Sequence, residues 1–153
     1  MDIVLSEEYK KAMDCALKYI TDSMKSEKQV KDRLSAKGFS DEVITAVCEK
    51  LFSYGLLDDR KMSELYVEQI SSRHGKKRIA EMLRRRGVNE EIISETLNIV
   101  GDQYEAASNA AGKFMRTRER TRENLSKLFR HLIYKGFEYE TVMRVVNEFD
   151  EGE

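Results

Sequence analysis

Three segments of the chain superimpose without gaps, and their glycines fall 49 residues apart: VKDRLSAKGFSDEVI from Val30, IAEMLRRRGVNEEII from Ile79 and LFRHLIYKGFEYETV from Leu128. Each has an aliphatic residue, Leu four positions later, then Lys or Arg, Gly, and Phe or Val. Self-similarity at a fixed period is the mark of a tandem repeat, and it constrains the fold more than any single residue does. The pattern also has a physical job. Gly38, Gly87 and Gly136 suit the left-handed position just past a helix, where a residue with a Cβ is strained, and the apolar residue that follows packs back on the last turn. The pairs predicted to do so are Leu34 with Phe39, Leu83 with Val88, and Leu132 with Phe137.

A new helix is expected at once after each turn. Ser40 and Asn89 are good N-caps, and Asp41, Glu42, Glu90 and Glu91 complement the dipole of the first turn; Glu138 is a poorer cap in the third copy. The second helix of the turn then ends at Gly55 in the first copy and Gly101 in the second. Asp58 can cap the next helix, with Leu57 stapled onto Met62, and Asp102 can act as Asp58 does. The neighbouring Asp58 and Asp59 are therefore read as a cap and a dipole partner rather than a metal or acid/base pair. Each copy becomes three helices, for example 58–73, 76–86 and 90–100 in the second. The expected architecture is all-α, with three tandem three-helix repeats over residues 1–56, 57–101 and 102–153. Units this small are marginal alone, so they should stack in series as an elongated, curved array.

Composition agrees with helices that have one apolar stripe and one charged face. Hydrophobic residues are 41% and charged residues 36%, with no Pro and no Trp. No apolar run approaches the ~20 residues of a membrane helix, and the acidic start MDIVLSEEYKKAMD is unlike a basic secretory leader. A cytoplasmic protein is expected. Cys15 and Cys48 lack metal or redox spacing and read as reduced structural thiols. No heptad seam calls for a dimer, so a monomer is expected.

Catalytic constellations are missing from the pattern. His74 and His131 stand in different copies without a Cys, Ser or carboxylate at triad or metal spacing, and read as exposed helical residues; no phosphate-binding glycine motif occurs. A non-enzymatic chain without a cofactor or metal is the expectation.

The net charge of −1 hides segregation. Residues 73–86 hold Arg73, Lys76, Lys77, Arg78, Arg84, Arg85 and Arg86 against the single acid Glu81, and residues 113–135 hold eight bases against Glu119 and Glu123. With Ile79, Met82 and Leu83 on one side of a helix, Lys77, Arg78, Arg84 and Arg85 fall on the other. Lys76 and Lys77 near a helix start oppose the dipole, at about 0.3–1 kcal/mol each, so stability alone would not place them there. A phosphate-bearing or acidic partner is implied, with Arg118, Arg120 and Arg122 as a second patch. Operator reading is not expected, because the helices that would enter a groove begin DEVITAVCEK, EEIISETLNI and YETVMRVVNE, whose acids repel phosphates. Tyr66, Tyr104 and Phe114, at helical spacing, read as core rather than base-stacking residues.

Taken together, Leu57-Asp58-Asp59, Tyr66-Val67 and GKKRIAEMLRRRGV from Gly75 resemble the central block of the RecX family, and LSAKGF from Leu34 and LIYKGF from Leu132 resemble its outer repeats. The first copy departs from the family pattern at Lys25-Ser26 and Gln29-Val30. The resemblance implies a regulator of the RecA recombinase in DNA recombination and repair. Such a protein lodges along the groove of the RecA filament on single-stranded DNA and inhibits ATP hydrolysis, strand exchange and filament growth. By position, Arg73, Lys76, Lys77, Arg78, Arg84 and Arg85 would face filament or DNA, with Arg118, Arg120 and Arg122 beside them. The family supplies no catalytic residue. Two other readings compete: a sequence-independent nucleic-acid-binding helical module, and a repeat adaptor for an acidic protein.

Overall fold

A computed structural model describes residues 2, 3 and 6–151; positions 1, 4, 5, 152 and 153, which the first and third repeats include as bounded above, lie outside the described residues. Nine α-helices and no strand occur among the described residues: α1 (Glu7–Asp22), α2 (Glu27–Ala36), α3 (Asp41–Ser53), α4 (Asp59–Ile70), α5 (Lys76–Arg85), α6 (Glu90–Ile99), α7 (Tyr104–Met115), α8 (Arg122–Tyr134) and α9 (Tyr139–Glu151). The chain is all-α, in three successive sets of three helices.

The helix ends follow from the residues named above. Gly38, Gly87 and Gly136 have φ of 89°, 86° and 93°. At each, the following residue donates back five positions, Phe39 to Leu34 at 3.2 Å, Val88 to Leu83 at 3.1 Å and Phe137 to Leu132 at 3.3 Å, while the glycine donates to Ser35, Arg84 and Ile133. These are Schellman caps. Gly55 makes a fourth, with φ 72° and a bond from Leu56 to Leu51. Gly101 does not, since α6 has already ended at Ile99. The start signals hold as well. The Ser40 side chain accepts from Val43, the Asn89 carboxamide from Ile92, and the Asp58 carboxylate from Arg60 and Lys61. At Asp102 the carboxylate accepts from Tyr104 at 2.8 Å, but the N-cap of α7 is Gln103.

By contacts the chain divides into two compact units, Met1–Glu64 with Leu83–Ile92, and Leu65–Met82 with Ile93–Glu153, so the middle set of helices is shared between them. In the first unit α1, α2 and α3 pack on one another around Ala12, Ala16, Val30, Leu34, Val47 and Leu51. In the second, α7, α8 and α9 close around Ala107, Ala111, Leu128, Leu132, Phe137, Val142 and Val145. These side chains recur at helical spacing on one face of each helix, and their removal from water drives the packing, at about 1.5–3 kcal/mol for each large side chain. Cys48 is buried, Cys15 half-buried, and both are free thiols. No described helix is long and apolar enough to cross a membrane.

In two places the repeated turn plugs the start of another copy's helix. Within the second unit, Gly75 donates to the Lys135 carbonyl at 2.8 Å and Lys77 donates to Gly136 at 3.1 Å, so the end of α8 meets the start of α5. Within the first unit, the Ser26 hydroxyl, N-cap of α2, donates to the Arg86 carbonyl, and the Arg86 guanidinium donates to Met24 at 3.3 Å. The first turn, Lys37–Gly38, is exposed, with nothing within 4 Å of where a Cβ on Gly38 would lie.

Candidate functional site

In the second unit, α4 stops at Ile70 rather than at residue 73, and residues 71–74 form a turn. The amides of Arg73 and His74 both donate to the Ile70 carbonyl. Gln103 clamps this turn: its carboxamide nitrogen donates to the carbonyls of Ser71 at 3.1 Å and His74 at 2.9 Å, and its oxygen accepts from the Lys76 amide at 2.9 Å. The side chain is buried, as a polar group fully engaged with backbone can be. The clamp fixes where Arg73 leaves α4 and where Lys76 enters α5.

The start of α5 changes the reading of the lysine pair. The backbone amides at its start meet the carbonyls that end α8, the negative pole of that helix, so the dipole that two lysines would oppose is offset inside the unit. Lys77 is exposed and Lys76 half-buried. Arg78 is more enclosed than an outer stripe requires. Its side chain is 27% exposed, 3.8 Å from Glu81, with the guanidinium 5.4 Å from the centre of the Tyr134 ring.

Neither histidine is an exposed helical residue, as the sequence suggested. His74 lies in the turn, half-buried, and its Nδ1 is buried without a hydrogen-bond partner. Burial first, and then Lys135, Arg73 and Arg78, hold its imidazole below the usual range. His131, on α8, is half-buried and stacks on Phe114 with ring centres 4.7 Å apart; burial, Lys135 and Arg118 lower it too. Packing explains both positions: the loop residue precedes a helix pinned from α8, and the helical one faces an aromatic neighbour.

Arg118, Arg120 and Arg122 lie in or at the end of the loop between α7 and α8. Two of them are engaged with aromatic faces. Arg118 lies 4.0 Å from the centre of Phe114 and donates to its carbonyl, and Arg120 lies 5.0 Å from the centre of Phe149. Arg122 opens α8 and is exposed. Tyr104 and Phe114 pack against the α7–α9 core, as expected from their spacing, and Tyr66 is half-buried.

The remaining basic candidates belong to the first unit. Arg84 is held by both carboxylate oxygens of Glu90, whose pKa this pairing lowers. Arg85 is exposed. Asp58 caps α4, but Asp59 does something the sequence did not suggest: its carboxylate accepts from the Glu27 amide at 2.8 Å and so caps α2 of the preceding copy. Burial pushes the Asp59 carboxyl above the usual range, and the Glu27 and Asp58 carboxylates add to that. Both aspartates border an open cavity of about 820 Å³ with Glu27, Lys31, Cys48 and Phe52. Among the described residues, no group of three or more His, Cys, Asp or Glu is placed to hold a metal ion.

The cap at Asp59 yields a direct expectation. A carboxyl raised above its unfolded value binds its proton more tightly when folded, so stability falls as pH rises from the unfolded value through the folded one. The accepting oxygen, not the charge, therefore stabilises α2. Asp59→Asn should change stability little at pH 7, whereas Asp59→Ala should lose about 1 kcal/mol in urea denaturation. Equal losses in the two variants would contradict this.

Three RecX family models match in tandem, the first three-helix domain over residues 12–51, the second over 58–97 and the third over 101–146. The regulatory protein RecX of Clostridium perfringens strain 13 is 32% identical over 158 residues, spanning 99% of this chain and 74% of that protein. The regulatory protein RecX of Clostridium tetani is 35% identical over 153 residues, spanning 95% and 71%. The crystal structure of RecX from Lactobacillus salivarius superimposes with a TM-score of 0.82 at 25% identity, over 95% of this chain and 99% of that one. With all three RecX domains in order and RecX proteins alike over most of its length, the chain belongs to the RecX family of regulatory proteins.

Proposed function

We propose that this protein binds the RecA recombinase assembled on single-stranded DNA, along the groove of the filament, and inhibits its ATP hydrolysis, strand exchange and growth. Membership of the family supports the recombinase as partner. The observation that carries the reading to the residues is a concentration of cations that the fold leaves short of acids. Lys77 is exposed beside the α8 carbonyls, and in the same unit burial and the neighbours Lys113 and Arg73 hold the Lys135 ammonium below its usual range. Like charges held this close favour a polyanionic partner.

Arg73, Lys76, Lys77, Arg78, Arg84, Arg85, Arg118, Arg120 and Arg122 are assigned to the filament and its DNA, with unequal roles. Arg78, Arg84, Arg118 and Arg120 already serve internal contacts, so Arg73, Lys77 and Arg122 carry more of the outward charge. The protein acts as a monomer without a cofactor.

The test is inhibition of RecA-dependent ATP hydrolysis on single-stranded DNA by purified protein. Lys77→Glu with Arg85→Glu should weaken it several-fold in protein that remains folded, because both side chains are exposed. Undiminished inhibition by this double variant would remove the basic residues from the mechanism. The second reading, a nucleic-acid module that needs no recombinase, draws on the same cations. It predicts equal affinity for bare DNA and for the filament at one salt concentration. An adaptor for an acidic protein predicts binding to neither.

A further inference from the structure

Although Arg73 lies 40 or more residues from Lys113 and Arg116 in sequence, these three cations of the second unit gather at one place. It is an open pocket of about 490 Å³ between the end of α4 and one face of α7, lined by Ser72, Arg73, Ser108, Asn109, Gly112, Lys113 and Arg116. Its origin is the periodicity of α7. Ala107, Ala111 and Met115 recur at i, i+4 and i+8 and are buried against α8 and α9 with Ala110 and Phe114 beside them, so the other arc of the helix, at positions 108, 109, 112, 113 and 116, faces away from that core. Those positions hold two hydrogen-bonding side chains, a glycine and two cations.

The lining contains no carboxylate. Arg73, Lys113 and Arg116, and Lys135 close by, have no ion-pair partner among the described residues, unlike Lys28, Lys31 and Lys127, which each pair with an acid one turn away. Lys113 and Arg73 both oppose the charge on Lys135, so the three lie within one another's field. Cations with no carboxylate among them match a phosphate and mismatch a metal ion.

Gly112 is an independent sign. Glycine inside a helix is unfavourable relative to alanine. Here no packing requires it: nothing lies within 4 Å of where its Cβ would stand, and its φ is not in the left-handed region. A small residue on the floor of the pocket does, however, let a bulky group come close to the helix backbone.

We propose that Arg73, Lys113, Arg116 and Lys135, around Gly112, form a binding pocket for the phosphodiester backbone of single-stranded nucleic acid, engaging phosphates without reading bases. This adds a site to the nucleic-acid side of the function proposed above and does not depend on the recombinase. Ser72, Ser108 and Asn109 supply the uncharged donors. The absence of an aromatic ring from the lining separates it from a base-stacking platform.

The experiment is binding of fluorescein-labelled oligothymidylate to the purified full chain, with no recombinase, over a series of salt concentrations. Lys113→Gln with Arg116→Gln should weaken binding roughly tenfold and flatten the slope of log affinity against log salt by about 0.7 for each contact removed. Lys28→Gln with Lys127→Gln removes the same charge from acid-paired sites and should leave both unchanged. Gly112→Ala should raise the melting temperature by roughly 2 °C while lowering affinity, a combination that a purely structural glycine would not give. Three results would overturn the proposal: no loss in the pocket variant, equal losses in the acid-paired control, or displacement of the oligonucleotide by polyglutamate at equal charge concentration. Because ATP hydrolysis by the recombinase is read separately, loss of inhibition in the Lys77→Glu/Arg85→Glu protein with normal oligonucleotide binding, or the reverse, tells the two proposals apart.

Discussion

Gly136→Ala should be far more damaging than Gly38→Ala, although the two glycines hold equivalent places in the repeat. Both have φ near +90°, where a side chain costs about 1–2 kcal/mol. For Gly38 the account ends there, since nothing lies within 4 Å of the position a Cβ would take. At Gly136 a Cβ would come closer than 3.0 Å to the backbone nitrogen and Cα of Arg78, which cannot swing aside as a side-chain tip can. The start of α5 would have to withdraw. That would cost the bonds from Gly75 to Lys135 and from Lys77 to Gly136, each worth about 1 kcal/mol. The sum is about 3–4 kcal/mol for Gly136→Ala, against about 1–2 for Gly38→Ala. Gly87→Ala should fall between them, because its Cβ would meet the flexible side chain of Lys28. Urea denaturation of the three variants checks the order. Equal losses would mean that the turn conformation alone matters and that the plug between α8 and α5 contributes nothing.

That ranking marks where the sequence stops being legible. The helix ends could be read because a Schellman cap is local: Leu34, Gly38 and Phe39 lie within six residues and their chemistry names the conformation. The N-caps Ser40, Asn89 and Asp58 were legible for the same reason, and so was the buried stripe of each helix. What each turn touches was not. Gly75 meets Lys135, Ser26 meets Arg86, and Asp59 meets Glu27 across 60, 60 and 32 residues of chain, and periodicity along one helix is silent about such partners. Charge suffered likewise. Helical periodicity put Lys77, Arg78, Arg84 and Arg85 in one stripe, yet the field at Lys135 comes from Arg73 and Lys113, and Arg84 is neutralised by Glu90. His74 and His131 were misjudged because their surroundings are set by α8 and Phe114, not by their neighbours in sequence. The pocket on α7 had one weak local sign, a helical glycine between Asn109 and Lys113, which means little until the structure shows that no packing needs it.

The second large effect concerns a residue to which the sequence drew no attention at all. Gln103→Leu keeps the volume and apolar stem of a buried side chain but removes a donor to Ser71 and His74 and an acceptor for Lys76. Each buried backbone group left unsatisfied costs about 1–3 kcal/mol, so the loss should be about 3–5 kcal/mol, less whatever water can recover. Gln103→Asn should not rescue it, because the shorter side chain cannot span from α7 to both ends of the 71–74 turn. The effect should also be local before it is global. The Lys76 amide, which donates to Gln103, should lose hydrogen-exchange protection under conditions where amides of the α7–α9 core keep theirs. Since the same clamp fixes Arg73 beside Lys113, oligonucleotide affinity should fall in the molecules that remain folded. An unchanged exchange rate at Lys76 would show that the turn is held by the Ile70 carbonyl and the α8 end alone. The placement of Arg73, and with it the geometry of the basic pocket, would then owe nothing to Gln103.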